Sequence, residues 1–263
     1  MATSIRLDSL TWPQVAAVRD KCDGFLLLPI GATEQHGPHL PINTDTCIAE
    51  NICRYASERT RIPILPALNF TVSSGHTPKW PGTFSLTHET FIATVREIAA
   101  WAVATGWSRL LFVNSHFGND ASLRVAVEKL RLDFLGKLQV GLRHTFLLTD
   151  SIRDYFVSDA EDLHANRAET DLLLHLAPNT VTMDAVEDDP DRTKGTVFSY
   201  PVAQTSLNGI TGSPSLGDAN RGKKLFEEMG EALAEILNQA RTESAPLPSS
   251  EWEHLPGIPL PTP

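Results

Sequence analysis

Two short apolar runs, "GFLLLPI" at 24–30 and "RLLFVNS" at 109–115, constrain the fold more than any other feature. A strand apolar on both sides has to be covered on both faces, which is the situation of a parallel sheet between helices. Helical patterns follow each run. Thr44 to Glu58 reads as a helix, as does Asp120 to Phe134. Between them, Ile92, Val95, Ile98, Ala99 and Ala102 recur at helical spacing, with Thr87 as N-cap and Gly106 as stop. "RIPILPAL" and "LQVGLRHTFLL" read as further strands, the first broken by prolines. "AETDLLLHLA" and residues 218–240 complete the helices. This alternation predicts an α/β fold, a single domain with a mostly parallel sheet flanked by helices.

The domain is expected to span residues 1–241, leaving 242–263 as a proline-rich C-terminal tail that cannot continue a helix. That tail is either loose or an arm laid across a neighbouring subunit, with Trp252 and Leu255 as anchors.

Sites in open parallel sheets form where loops leave the carboxyl ends of strands. The loop after "GFLLLPI" is "GATEQHGPHLPINTD", which holds Glu34, His36, His39 and Asp45 in fifteen residues. The loop after "RLLFVNS" brings His116, Asn119 and Asp120, and a third cluster, "DLHANRAETD", carries His164 and Glu169. Glu34 and His36 are two apart, so in extended backbone they point the same way. Asp45, at a helix start, can fold back beside them. With His116 and Glu169 they make a set of oxygen and nitrogen donors without sulfur, suited to zinc or manganese. The set suffices for two divalent ions per chain if Asp45 bridges them, and two such ions can hold a hydroxide and polarise a carbonyl.

Other chemistries fit less well. Ser115 beside His116 suggests a serine hydrolase, but "NSHFGND" is not a Gly-x-Ser-x-Gly elbow. No Gly-x-Gly-x-x-Gly follows the first strand, which disfavours a dinucleotide site. A net charge of −10 without a basic cluster argues against nucleic acid and anionic membrane as partners. No stretch approaches membrane-spanning length. The three cysteines, Cys22, Cys47 and Cys53, form no zinc-finger spacing and fit a reducing, cytoplasmic setting.

"LPIGATEQHGPHLPINTDT" resembles the signature of the creatininase (creatinine amidohydrolase) family. "VNSHFGND" resembles its Asn-Gly-His-Gly-Gly-Asn segment, with Ser115 and Phe117 as departures. "HANRAETDLLL" is similar to its His-Ala-Gly-x-x-Glu-Thr segment, with Asn166 for the glycine. "WPGTFSL" and "GITGSPSLGDANRGKKLFE" match further recurrent stretches.

The resemblance implies a dinuclear metal amidohydrolase, usually a homohexamer, acting on a small-molecule amide. Carried over by position, Glu34, His36, Asp45 and His116 are metal ligands, and His164 handles protons at the leaving nitrogen. Creatininases proper have a ligand glutamate where this chain has Gly118, and Glu169 is expected to replace it. They also close over creatinine with tryptophans ahead of the His164-like histidine. Residues 150–163 contain none, so Tyr155 and Phe156 are expected to form a different lid, and His76 and Trp80 to wall the pocket. This points away from creatinine, toward a lactam, cyclic imide or formamide. His39 reads as structural, and His88, His144, His175 and His254 as ordinary surface or core residues.

Overall fold

The computed structural model describes residues 3–252. Its sheet has three parallel strands in the order β1 (Phe25–Ile30), β2 (Arg109–Asn114) and β3 (Gln139–His144). Phe25 pairs with Arg109, and Arg109 with Gln139. Alternate side chains divide between two cores, as the pleat requires. Phe25, Leu27, Leu111 and Val113 point into one, and Leu26, Leu28, Ile30, Leu110 and Phe112 into the other.

Helices α2 (Thr44–Thr60), α6 (Arg167–Leu176) and α8 (Ala219–Arg241) cover the first face, using Ile48, Ile52, Leu172, Leu173, Leu225, Met229 and Leu233. Helices α3 (His88–Ala104) and α4 (Asp120–Asp133) cover the second, through Phe91, Val95, Ala99, Leu123 and Leu130. The expected cap of α3 is present: Thr87 Oγ1 accepts from the Thr90 amide at 3.2 Å. Three further helices are α1 (Trp12–Lys21), α5 (Asp150–Phe156) and the single turn α7 (Val202–Thr205).

The expectation of a strand in "RIPILPAL" needs correction. The segment runs parallel to β1 but touches it only at the isolated bridges Leu27–Ile64 and Ile30–Leu68. The Leu65 amide donates to Leu27 O at 2.9 Å, and the Leu68 amide to Pro29 O at 3.0 Å. Pro63 and Pro66 have no amide hydrogen, so a continuous ladder cannot form. "LQVGLRHTFLL" also stops being a strand at His144, where a 3₁₀ turn takes over.

The start of the tail lies on its own chain. Glu243 O accepts from Arg109 and Gln139, and Trp252 covers Gly136 so closely that a Cβ there would touch its ring at 3.5 Å. Leu255 and His254 lie outside the described residues.

Candidate metal centre

The loop after β1 is folded back hard onto its own helix. A Cβ on Gly31 would stand 2.4 Å from Thr46 Cα, so only glycine permits this turn. The Glu34 amide donates to Ile42 O at 3.0 Å, and Thr46 Oγ1 donates to Ala32 O at 3.0 Å. Gly37, at φ +63°, makes the tight return toward Leu40. Together these contacts set Asp45, in the first turn of α2, opposite Glu34 and His36.

The loop after β2 is tied to the same place by two asparagines. Asn119 Nδ2 donates to Gly31 O at 3.0 Å, and its Oδ1 accepts from the Val72 amide at 3.1 Å. Asn114 Nδ2 donates to His116 O. His116 is thereby held with Nδ1 at 3.2 Å from both Glu34 Oε1 and Asp45 Oδ2.

The third cluster closes the site. Glu169 divides its carboxylate between two tasks. Oε2 accepts from the Asn166 amide at 3.3 Å, completing a capping box at the start of α6, while Oε1 lies 3.9 Å from His36 Nε2. His36 Nε2 is also 3.4 Å from Asp45 Oδ1. His164 Nδ1 stands 3.6 Å from Glu34 Oε1, and His76 Nε2 stands 3.3 Å from Glu34 Oε2. The donors thus fall into three trios: Glu34, Asp45 and His116; His36, Asp45 and Glu169; and Glu34, His76 and His164.

These residues fit a cation. Both Glu34 oxygens, His36 Nε2 and Asp45 Oδ2 are buried without a hydrogen-bond partner. Buried carboxylates without positive charge nearby cost several kcal/mol each, so either a cation or protons on the facing imidazoles must balance them. The imidazoles are also pre-oriented. His36 Nδ1 donates to Glu34 O at 3.2 Å, His116 Nε2 to Val72 O at 2.8 Å, and His164 Nε2 to Gln35 O at 2.7 Å. A carbonyl can only accept, so each ring carries its proton there and turns its other nitrogen toward the carboxylates.

The electrostatics match. Burial disfavours a charged His36, but Asp45, Glu169 and Glu34 outweigh it and lift the ring to about 10. His116 rises for the same reason, with Glu34 and Asp45 overcoming burial. Burial, with Asp45 and Glu34 nearby, raises the Glu169 carboxyl to about 7. His164 and His76 go the other way: burial and neighbouring imidazoles lower both, His76 to about 3. The cluster therefore holds protons in the places a cation would fill, beside two neutral imidazoles.

A cavity of about 280 Å³ opens onto the cluster. Glu34, Asp45, His116, His164 and Glu169 all reach it, and of the residues expected to wall it, His76 and Phe156 do. Trp80 and Tyr155 do not. The Lys79 ammonium sits over the Trp80 ring at 4.4 Å and is tied down by Ser206 O. Tyr155 lies about 100° around α5 from Phe156, so its hydroxyl bonds Asp171 and its ring faces Arg167 instead.

Several contributors escaped the sequence. Gln35 sits among the histidines, its amide 2.9 Å from His76 Nδ1. Phe117, Phe146 and His88 are on the cavity wall. His39 bonds Thr170 Oγ1 at 2.9 Å and belongs to none of the trios. His144 is buried against Asp120 at 2.8 Å. Only the position of Gln35 between Glu34 and His36 could have drawn attention to it.

The glycine at 118 has a steric cause. A Cβ there would stand 2.5 Å from His116 Nε2 and 2.8 Å from Val72 O. This backbone has no room for a glutamate at that position.

Comparison with known proteins agrees with this geometry. Residues 8–237 match the family profile described as creatinine amidohydrolase. The chain is 28% identical to a creatinine amidohydrolase of Pseudomonas putida, covering 91% of this chain and 98% of that one. It is 32% identical to a mycofactocin precursor peptide peptidase of Mycobacterium ulcerans (strain Agy99), over 87% of this chain and 85% of that one. A creatininase mutant of Zn-Zn type superposes with a TM-score of 0.78 at 25% identity, covering 91% of this chain and 99% of that one. With this match spanning nearly the whole domain, the chain belongs to the creatininase family of metal-dependent amidohydrolases.

Proposed function

We propose that this protein is a dinuclear metal amidohydrolase that opens the C–N bond of a small cyclic or non-peptide amide, of lactam, cyclic imide or formamide type. The observation that carries the reading is the position of Asp45. Its Oδ1 faces His36 and its Oδ2 faces His116, so one carboxylate serves two donor trios. Glu34, Asp45 and His116 would hold one zinc or manganese ion, and His36, Asp45 and Glu169 the other. Such a pair supplies, when bound, Lewis-acid polarisation of the amide carbonyl and a water acidic enough to attack at neutral pH.

The chain's own residues handle the protons. His164 carries its hydrogen on Nε2, fixed by Gln35 O, which leaves the Nδ1 lone pair facing the site. Burial keeps the ring neutral, so Nδ1 can take a proton and return it to the departing nitrogen. The Gln35 side-chain amide donates to His76 Nδ1 and so fixes the ring with Nε2 at 3.3 Å from Glu34 Oε2.

The wall argues against creatinine itself, because no tryptophan lines the cavity among the described residues. Three free cysteines support a reducing, cytoplasmic setting, and the family resemblance supports a homohexamer. No helix among the described residues is long and apolar enough to cross a membrane.

Metal analysis together with a substrate panel tests the reading. Protein purified without chelator should hold close to two divalent ions per chain. The zinc- or manganese-loaded enzyme should hydrolyse at least one of a panel of lactams, cyclic imides, formamides and creatinine. A short peptide belongs in the panel because the Mycobacterium ulcerans relative is named for one. Less than about half an ion per chain after supplementation would favour a non-catalytic, regulatory member instead.

A further inference from the structure

Besides the carboxylates, the cavity is lined by a row of aromatic rings. Phe117, from the turn after β2, lies 5.8 Å from Phe146, centroid to centroid, and Phe146 lies 6.2 Å from Phe156. Both spacings are those of interacting rings. Val72, Leu163 and Val202 extend the same apolar lining. Phe117 is 65% exposed, and it stands where the resembling family segment has glycine. A lone exposed phenylalanine is ordinary. One that heads a row of three inside the reaction cavity is positioned to receive something flat.

Charge narrows the choice. Apart from the proposed metal ligands Glu34, Asp45, His116 and Glu169, the one acidic side chain on the lining is Asp162, and among the described residues no lysine or arginine joins it. Ser73, Ser74, Ser115 and Thr211 supply neutral polarity. Beyond the proposed metal ligands, a negatively charged substituent would therefore find the Asp162 carboxyl group and no lysine or arginine to pair with. Size is adequate. A cavity of about 150 Å³ accommodates benzene, so about 280 Å³ leaves space for a ring and an amide together.

We propose that the substrate carries, beyond its scissile amide, a flat apolar or aromatic group without negative charge that lies along Phe117, Phe146 and Phe156. This rests on the amidohydrolase reading above and specifies what that site selects.

Hydroxamic acids separate the two ideas, because the hydroxamate anchors on metal whatever bond the enzyme cleaves. The zinc-loaded protein would be titrated calorimetrically with acetohydroxamic acid, phenylacetohydroxamic acid and succinic monohydroxamic acid. The phenyl-tailed compound should bind about tenfold or more tighter than the methyl-tailed one, as expected for filling an apolar subsite. The carboxylate-tailed compound should bind more weakly than the methyl-tailed one. Phe117→Ala, at an exposed position that should leave the fold intact, should bring the phenyl-to-methyl ratio to within about threefold of unity. The proposal fails if the carboxylate tail binds as well as the methyl tail, or if phenyl gives no gain. It fails equally if the gain survives in both Phe117→Ala and Phe146→Ala. If none of the three compounds binds, the metal centre does not open into this cavity, and the amidohydrolase reading falls along with the substrate class.

Discussion

Glu169 Oε1 stands 3.9 Å from His36 Nε2, while the other oxygen of the same carboxylate closes the capping box of α6. A simple helix-terminal charge would use the group for the cap alone and contribute about 0.3–1 kcal/mol. A ligand would use the free oxygen. Glu169→Gln separates the two, because glutamine also completes a capping box. Stability should change little, while metal content falls toward one ion per chain and turnover by orders of magnitude. Elemental analysis and a rate measurement check this, and a variant with two ions and normal turnover would remove Glu169 from the ligand set.

His164 should behave differently from the ligands. Its Nδ1 faces Glu34 but its Nε2 is committed to Gln35 O. In His164→Asn the ions should stay and turnover should fall by roughly 10²–10⁴, the span for one proton-transferring group. Loss of metal in this variant would recast His164 as a ligand of the trio it forms with Glu34 and His76.

How much of this was legible in the sequence depended on distance along the chain. Strands β1 and β2 announced themselves because burial on both faces leaves an uninterrupted apolar run. Glu34, His36 and Asp45 could be grouped because one loop carries them, and strand topology brought His116 to the same edge. The prolines at 63 and 66 marked "RIPILPAL" as broken, but its apolar run still read as a strand where only isolated bridges to β1 form. The cavity wall was harder still. Phe117, Phe146 and Phe156 come from three separate segments, and choosing Phe156 over Tyr155 requires knowing how α5 is rotated. Gln35 was concealed by its neutrality, since apart from its place between Glu34 and His36 nothing about a lone amide marks it as the group that orients His76.

The protonation of the cluster gives a pH signature. The folded-state value of His36, about 10, exceeds its ordinary 6.5, so its contribution to stability is complete below 6.5 and disappears as pH rises through 10. Glu169, raised to about 7, adds a loss of stability between its ordinary 4.5 and 7. Chelator-stripped protein should therefore melt at progressively lower temperature from neutral pH to 10, and the metal-loaded protein should not, because the ion replaces those protons. Zinc uptake near neutrality should release protons, detectable by calorimetry in buffers of different ionisation enthalpy. Uptake without proton release would contradict the protonated cluster.

The tail offers a structural test. Arg109 and Gln139 both donate to Glu243 O, and Trp252 covers Gly136 of the same chain. Deleting residues 243–263 should lower Tm by about 2–4 °C, equivalent to about 1 kcal/mol in a protein of this size. Light scattering should report the proposed homohexamer both for the full chain and after the deletion. A monomeric full-length protein would defeat the hexamer, and dissociation only on truncation would make the tail an arm between subunits.

The final prediction concerns Gly118 and Glu169 together. If the family's glutamate at 118 and Glu169 were interchangeable, Gly118→Glu should rescue Glu169→Gln. The geometry forbids it. Any Cβ at 118 would meet His116 Nε2 at 2.5 Å and Val72 O at 2.8 Å, the two atoms whose hydrogen bond orients the imidazole. Neither can yield easily, since Val72 is held by Asn119 and His116 by the loop after β2. Gly118→Glu should therefore tilt His116 and weaken the trio it forms with Glu34 and Asp45, lowering metal content on its own. The double variant should hold less metal than Glu169→Gln alone, by elemental analysis after equilibration with zinc. Restoration of two ions and of turnover would show that this backbone relaxes to admit the glutamate, and that sterics do not dictate the exchange of ligands.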